Sequence, residues 1–451
     1  MHSMHPARRT ALALALLVAP AGLAAQDAGR PLTLGEAARL AARQSAQAEG
    51  ARLRADQLDA RAQQRRADLL PNVSALASDG QRTFNTATFG FDFLDPSGVP
   101  LFDPTGEVLG PVHTIDLRGR VSQSLLDVAA VDRYRSARTT ANAGEAEAAS
   151  VADQAAAVAA GAYLRALRAQ AQLDARAADS TLAAELLQIA RDQLRAGVGV
   201  ALDVTRAEAQ AATVRAQLIT ARNDRDRARL ELQRALGLSL AEPVTLTDHL
   251  DAFAVDTAAL PAEAEAVDRA IARRPDLRAA DAQLRAAEQQ VAAVRAERLP
   301  AVGVFADQGA IGLDYGNLKN TYTWGVQLSL PLFDGLRREG RISEQRAVAR
   351  EVDVRRRDLR QQAAIEVREA LLDLTAAAEQ VAAARERLRL ADQELAQARD
   401  RFRAGVASNA DVITASFALT GSRNLVIDAL TLYQSARVGL ARAQGSITEL
   451  P

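Results

Sequence analysis

The chain has 451 residues, of which 48% are hydrophobic, only 4% aromatic and 25% charged, with a formal net charge of −1 and no cysteine. That composition excludes disulfides, thiolate metal ligands, thiol nucleophiles and a lipidated N-terminal cysteine, and the near-neutral charge offers no footprint for nucleic acid. His2, His5, Met1 and Met4 all precede residue 26, so His113 and His249 are the only imidazoles left to the rest of the chain. These are too few for a histidine metal site, and no nucleophile–base pair or phosphate cradle is visible, so no cofactor is expected and an enzyme has little to stand on.

In chain order, Arg8 and Arg9 precede an uncharged stretch over residues 11–25 that ends in Gly22, Ala24 and Ala25. This reads as a signal peptide over residues 1–25. Removing the two arginines takes the formal charge from −1 to −3. Nothing after Gln26 contains the roughly 18 to 20 uninterrupted apolar residues of a transmembrane helix. An exported chain of this kind belongs in the periplasm, outside the cell or in the outer membrane.

Residues 26–240 read as a first unit of helix, two strands, long helix and helix. Its strand region, about 71–126, opens at Leu70-Pro71 with Val73, Ala75 and Ala77 on one face. Pro96, Pro100, Pro104 and Pro111 give the middle of this region a loop composition, and His113 reads as a loop residue beside the next strand. There Ile115, Leu117, Val121 and Leu125 alternate with polar residues, the period of a strand with one apolar face. No proline interrupts the chain from Pro111 to Pro243. A helix from about Asp127 to Leu194 would be roughly 100 Å long. It ends at Arg195-Ala196-Gly197-Val198, with Gly197 in the left-handed position. The next helix keeps a three-four spacing through Val204, Ala207, Ala211, Val214, Leu218, Ala221, Ala228 and Leu232, the seam of a supercoiled pair.

Residues 241–262 read as a connector, and residues 263–451 repeat the first order. Leu299-Pro300 matches Leu70-Pro71, Phe333-Asp334 matches Leu126-Asp127, and Gly445 matches Gly237. Arg403-Ala404-Gly405-Val406 repeats the first glycine turn 208 positions on. The second strand region, about 300–333, alternates Tyr322, Trp324, Val326, Leu328 and Leu330 with polar residues. Val412, Ala415, Leu419, Val426, Ala429, Tyr433, Ala436 and Leu440 form the second seam. Aromatics gather near the strands, among them Phe89, Phe91, Phe93, Tyr322 and Trp324. They suit either the girdle of a membrane barrel or the interior of a soluble sandwich. Four strands cannot close a membrane barrel, so a barrel requires several copies.

Together the duplicated glycine turns (Leu194 to Asp203 and Phe402 to Asp411), the Leu-Pro strand entries and Arg274-Pro275-Asp276-Leu277 resemble the TolC family of outer-membrane efflux and type I secretion channels, over essentially the whole mature chain. The resemblance implies a mainly α fold with a β-barrel portion. A long antiparallel coiled-coil α-helical barrel would join an outer-membrane β-barrel of four strands per chain and twelve per trimer. It implies a passive homotrimer in outer-membrane lipid, docked at its helical tips to a periplasmic adaptor and, through it, to an inner-membrane pump. The competing class is a soluble periplasmic coiled-coil adaptor or scaffold, which the long helices alone would permit.

The resemblance places Asp411 in a ring at the channel constriction, with Thr414 where relatives often carry a second acid and Asp203 at the matching place in the first half. Three Asp411 carboxylates brought together would repel one another and attract cations. Ser408-Asn409-Ala410-Asp411 also has capping-box spacing, and Asp203 sits where a helix N-terminus favours an acid, so both acids have a purely local reading as well. Arg195, Gly197, Val198, Arg403, Gly405, Val406 and Ser408 form the turns assigned to adaptor docking. The basic run Arg355, Arg356, Arg357 and Arg360 reads as a solvated helix face rather than a nucleic-acid patch.

Overall fold

The computed structural model describes residues 30–451 except 91–93, 104, 253–254, 256–260 and 405, and except the side chain of Phe89. The expected signal peptide therefore lies outside the described residues. The chain begins with β1 (Arg30–Leu32), α1 (Leu34–Gln44), α2 (Ala46–Ala67), β2 (Asn72–Asn85) and β3 (Val108–Leu126). Then come α3 (Val128–Arg195), α4 (Ala201–Leu236), β4 (Val244–Leu246), α5 (Glu263–Arg273) and α6 (Pro275–Ala296). It continues through β5 (Ala301–Gly312), β6 (Lys319–Ser329), α7 (Arg337–Arg403) and α8 (Asn409–Ala443). The molecule is thus mainly helical, with the order helix, strand, strand, long helix, helix occurring twice. No helix among the described residues is long and apolar enough to cross a membrane.

Local chemistry sets these boundaries. Thr33 and Glu36 form a reciprocal capping box at α1 (3.2 and 2.9 Å). Asp127 Oδ1 accepts the Ala130 N–H at the start of α3 (2.8 Å), and Asp334 Oδ2 accepts the Arg338 N–H at the start of α7 (3.1 Å). At the other end of α3, Gly197 takes φ 75°, its N–H bonds Leu194 O (3.1 Å), and the Val198 N–H reaches Gln193 O (3.0 Å). The same double bond closes α4 at Gly237 and α8 at Gly445, satisfying carbonyls that the helix leaves orphaned.

The 68 residues of α3 and 67 of α7 each span about 100 Å at 1.5 Å per residue. They pair with α4 and α8 through thin seams. Ala207, Val214 and Leu232 are buried on α4, and Val412, Ala415, Leu419, Ala429, Tyr433 and Ala436 on α8. The largest apolar cluster lies midway, where Ala156, Ala159, Ala160 and Tyr163 of α3 meet α1, α4, α7 and α8. The chain's outlying segments are tied there. β4 pairs parallel with β1. Tyr163 Oη lies 2.9 Å from both Leu32 O and Asp248 Oδ2, which also accepts the Leu34 N–H (2.8 Å). Burial and then this carboxylate push the Tyr163 phenol up. The Gly35 N–H bonds Pro451 O (3.0 Å), and a Cβ on Gly35 would stand 2.2 Å from Leu450 O, so only glycine lets the 447–451 segment lie against α1.

A second tie is the Arg274-Pro275-Asp276-Leu277 turn. Arg274 grips both Asp276 oxygens (3.1 and 2.7 Å) and Glu366 Oε2 of α7 (2.6 Å). Burial raises Asp276, but the two-point guanidinium contact outweighs it and holds the carboxyl below its usual range.

Nearby Asp153 lacks such a grip. Burial lifts its carboxyl to about 6, with Arg278 opposing and Asp276 adding to the rise. A folded pKa above the unfolded value, 3.8, means stability fully present below the latter and lost as pH rises through about 6. Asp153→Asn should therefore stabilise the protein at neutral pH by about 1 kcal/mol after solvent screening. Thermal unfolding in detergent should show this gain vanishing below about pH 4, and a variant less stable than the parent at neutral pH would contradict it.

Candidate functional site

The four longer strands form one antiparallel sheet in the order β2-β3-β5-β6. Register sorts their side chains onto two faces. On one, Val73, Ala75 and Ala77 of β2 stand opposite Val121, Gly119 and Leu117 of β3. On the same face Val304 and Ala306 of β5 stand opposite Val326 and Trp324 of β6. This face is apolar and open to solvent in the single chain, with Tyr322, Trp324, Val326 and Leu328 between 67 and 75% exposed. A contiguous apolar surface of this kind calls for a cover. Of the expected interface aromatics, Tyr322 and Trp324 lie on this face; Phe91, Phe93 and the Phe89 side chain lie outside the described residues.

The opposite face is polar. Arg118 Nη1 lies 2.5 Å from Asp307 Oδ1 across the β3–β5 ladder, Arg120 Nη2 is 3.7 Å from Asp307 Oδ2, and Asp116 is 3.3 Å from Arg118 Nε. Thr321 and Thr323 extend this surface on β6, and the Phe305 ring covers Gly325 directly opposite.

One expectation is corrected here. Pro111 and His113 do not lie in a loop. β3 runs on to Val108, and Pro111 is accommodated where the register with β2 shifts between Arg82 and Phe84. An irregularity of that kind spares proline the ladder bond it cannot donate.

The other end of the long helices carries the second group of residues. Val198 and Val406 are 79 and 68% exposed. Arg195 is exposed and pairs with Asp192, and a Cβ on Gly197 would meet nothing within 4 Å. Arg403 is exposed at the end of α7, and Gly405 lies outside the described residues. Asp411 Oδ2 accepts the Ser408 N–H (3.1 Å) and hydroxyl (3.3 Å), so the carboxylate fastens the start of α8 while remaining exposed. Thr414, one turn on, is exposed on the same flank with its hydroxyl on Ala410 O (2.9 Å). Phe417 follows, 52% exposed. Asp203 lies in the first turn of α4, with Arg206 4.0 Å away.

Two residues that sequence reasoning missed join the hairpins. Asn409, 0% exposed, donates from Nδ2 to Asp203 O (2.9 Å), and Gln193 donates from Nε2 to Phe402 O (3.1 Å). Around them Leu186, Leu395, Phe402, Val412 and Leu419 make an apolar cluster. The only sequence signal for Asn409 was its place just after a helix cap.

The basic run is neutralised by acids on α6 and α7. Arg355 pairs with Glu351 (2.5 Å), Arg356 and Arg357 with Asp353 (2.9 and 3.3 Å), and Arg360 with Asp281 (3.1 Å).

Comparison with known proteins places this geometry. The chain is 31% identical over 180 residues to the alkaline protease secretion protein AprF of Pseudomonas aeruginosa, covering 39% of this chain and 37% of that protein. It is 30% identical over 269 residues to the probable efflux pump outer membrane protein SepC of Pseudomonas putida, covering 56% and 52%. The chain thus spans about half or less of the length of these relatives. Its fold is similar to that of the Campylobacter jejuni CmeC outer membrane channel, with a TM-score of 0.75 at 17% identity over 92% of this chain and 85% of that one. The family model for outer membrane efflux proteins matches residues 37–238 and 266–446. With most of its length matched, the chain belongs to the outer membrane efflux protein family.

Proposed function

We propose that the chain forms a passive homotrimeric channel of the outer membrane, serving a tripartite efflux pump or a type I secretion system. The observation that supports this most is the sheet, which has an exposed apolar face, a charged and hydroxylated opposite face, and unpaired edges at β2 and β6 among the described residues. Three copies would join β6 to β2 and close a twelve-stranded barrel, the apolar face against lipid and the polar face toward the lumen. The helices would continue the duct through the periplasm, and residues 1–25 would be removed on export. A soluble adaptor or scaffold would have no use for the apolar face. The reading makes the chain a conduit rather than an enzyme. Its relatives are named for both secretion and efflux.

In this reading Arg195, Gly197, Val198, Arg403, Gly405, Val406 and Ser408 meet a periplasmic adaptor, which links the channel to an inner-membrane pump. Asp411, Thr414 and Asp203 line the narrowest part. Phe89, Phe91, Phe93, Tyr322 and Trp324 belong at the membrane surface.

Planar-bilayer recordings of detergent-extracted protein should show a small conductance that divalent cations block at low salt. Asp411→Ala should weaken that block by about tenfold. A folded preparation without conductance, or recovery of the chain from the soluble periplasm, would contradict the proposal. The Asn409 and Gln193 bonds each contribute about 1 kcal/mol. Asn409→Ala combined with Gln193→Ala should therefore shift the closed-to-open ratio by about thirtyfold, read as higher open probability. An unchanged open probability would assign tip closure to other contacts.

A further inference from the structure

His113 stands in β3 opposite Gln81, at the end of the sheet remote from the helices, where the face that is apolar from Val73 to Leu117 turns polar with Asp79, Gln81 and His113 beside Ile115. Both ring nitrogens are engaged. Nδ1 lies 2.7 Å from Leu313 O, in the turn between β5 and β6, and Nε2 lies 2.5 Å from Asp79 Oδ1 on β2. The other Asp79 oxygen accepts from Tyr315 Oη of the same turn (3.0 Å). Ile115, between Asp79 and Gly312 in the register, is 1% exposed.

A carbonyl and a carboxylate only accept hydrogen bonds. The ring can satisfy both only by donating from both nitrogens, which requires the imidazolium form. A neutral imidazole has one N–H and must release one partner. We propose that His113 is the pin of an acid-tightened clasp that fastens the β5–β6 turn over β2 and β3.

The surroundings suit a reversible clasp. The ionisable groups facing the ring are Asp79 from β2 and Asp314 and Tyr315 from the turn, two acids and a phenol. The register puts Arg82, opposite Val112, and Lys319, opposite Ile311, on the other face of the sheet. The turn holds its own shape when released. Asp314 accepts the Gly316 N–H (2.9 Å) and the Asn317 side-chain amide (3.0 Å). Gly312 permits the close approach of Asn317 O, which would stand 2.7 Å from a Cβ. One bond given up therefore loosens the turn without unfolding it, while the Tyr315 bond to Asp79 still tethers it to β2.

The channel reading enters only in placing this turn on the cell exterior. Because the chain has no cysteine, Leu313→Cys supplies a single thiol, at a side chain 62% exposed whose backbone carbonyl is retained. A nitroxide on that thiol in the detergent-extracted full chain reports the turn directly. Between about pH 5.5 and about pH 9 the mobile-to-immobile ratio of its spectrum should rise about five- to tenfold, the loss of one solvent-exposed hydrogen bond. In the added presence of His113→Gln the ratio should not depend on pH. Equal mobility at both pH values with His113 present, or a pH dependence that survives His113→Gln, would overturn the proposal. Labelling of the same thiol in intact cells by a membrane-impermeant maleimide tests the exterior placement separately.

Discussion

The backbone at the two edges of the sheet is the constraint on which everything else depends. Among the described residues β2 and β6 each have one partner, so alternate N–H and C=O groups along both strands point away from the sheet. In hydrocarbon each such group left unpaired costs several kcal/mol. The exposed apolar face makes water an equally poor solvent for this part of the molecule. In the proposed trimer, edge-to-edge pairing of copies would satisfy the backbone and lipid would cover the apolar face. The strands then dictate the helices, because α2, α3, α6 and α7 each meet one end of a strand within a few residues. A closed ring of strands obliges those helices to descend side by side.

Alanine seams make that descent feasible. Buried alanines recur along α3 and α7, letting helix backbones approach closely while each contact adds little burial energy. Stability is therefore spread along the length rather than held in one core, and particular groups fix the register of one helix on another. Tyr163 with Asp248 ties α3 to the segment after β4 midway, Arg274 joins α6 to α7, and Asn409 with Gln193 joins the hairpins at the tip. Most of the remaining ion pairs are solvent-exposed and contribute little. In the proposed channel, a long tube held by a few polar ties would move at its tip without disturbing its middle.

Much of this was legible because it rests on local rules. Gly197, read as a helix end, has positive φ, since only glycine enters that region without penalty. The seam of α4 runs through Ala207, Val214 and Leu232 as its spacing required, because period alone decides which side of a helix faces a neighbour. Alternation marked β6, whose two faces differ. What escaped depends on distant partners. Pro111 and His113 suggested a loop, since nothing in their neighbourhood reveals a register shift against β2. The parallel pairing of β1 with β4 joins segments more than 200 residues apart. Gln193 and Asn409 look like ordinary polar residues until the second hairpin supplies the carbonyls they bond.

Hydrogen exchange of the detergent-extracted assembly, resolved along the strands, tests most directly whether copies of the chain close the sheet. If they do, the amides of β2 and β6 that point outward from the single chain exchange as slowly as those of β3 and β5. Rapid exchange at both edges while β3 and β5 stay protected would mean the edges are free, and would contradict a closed barrel.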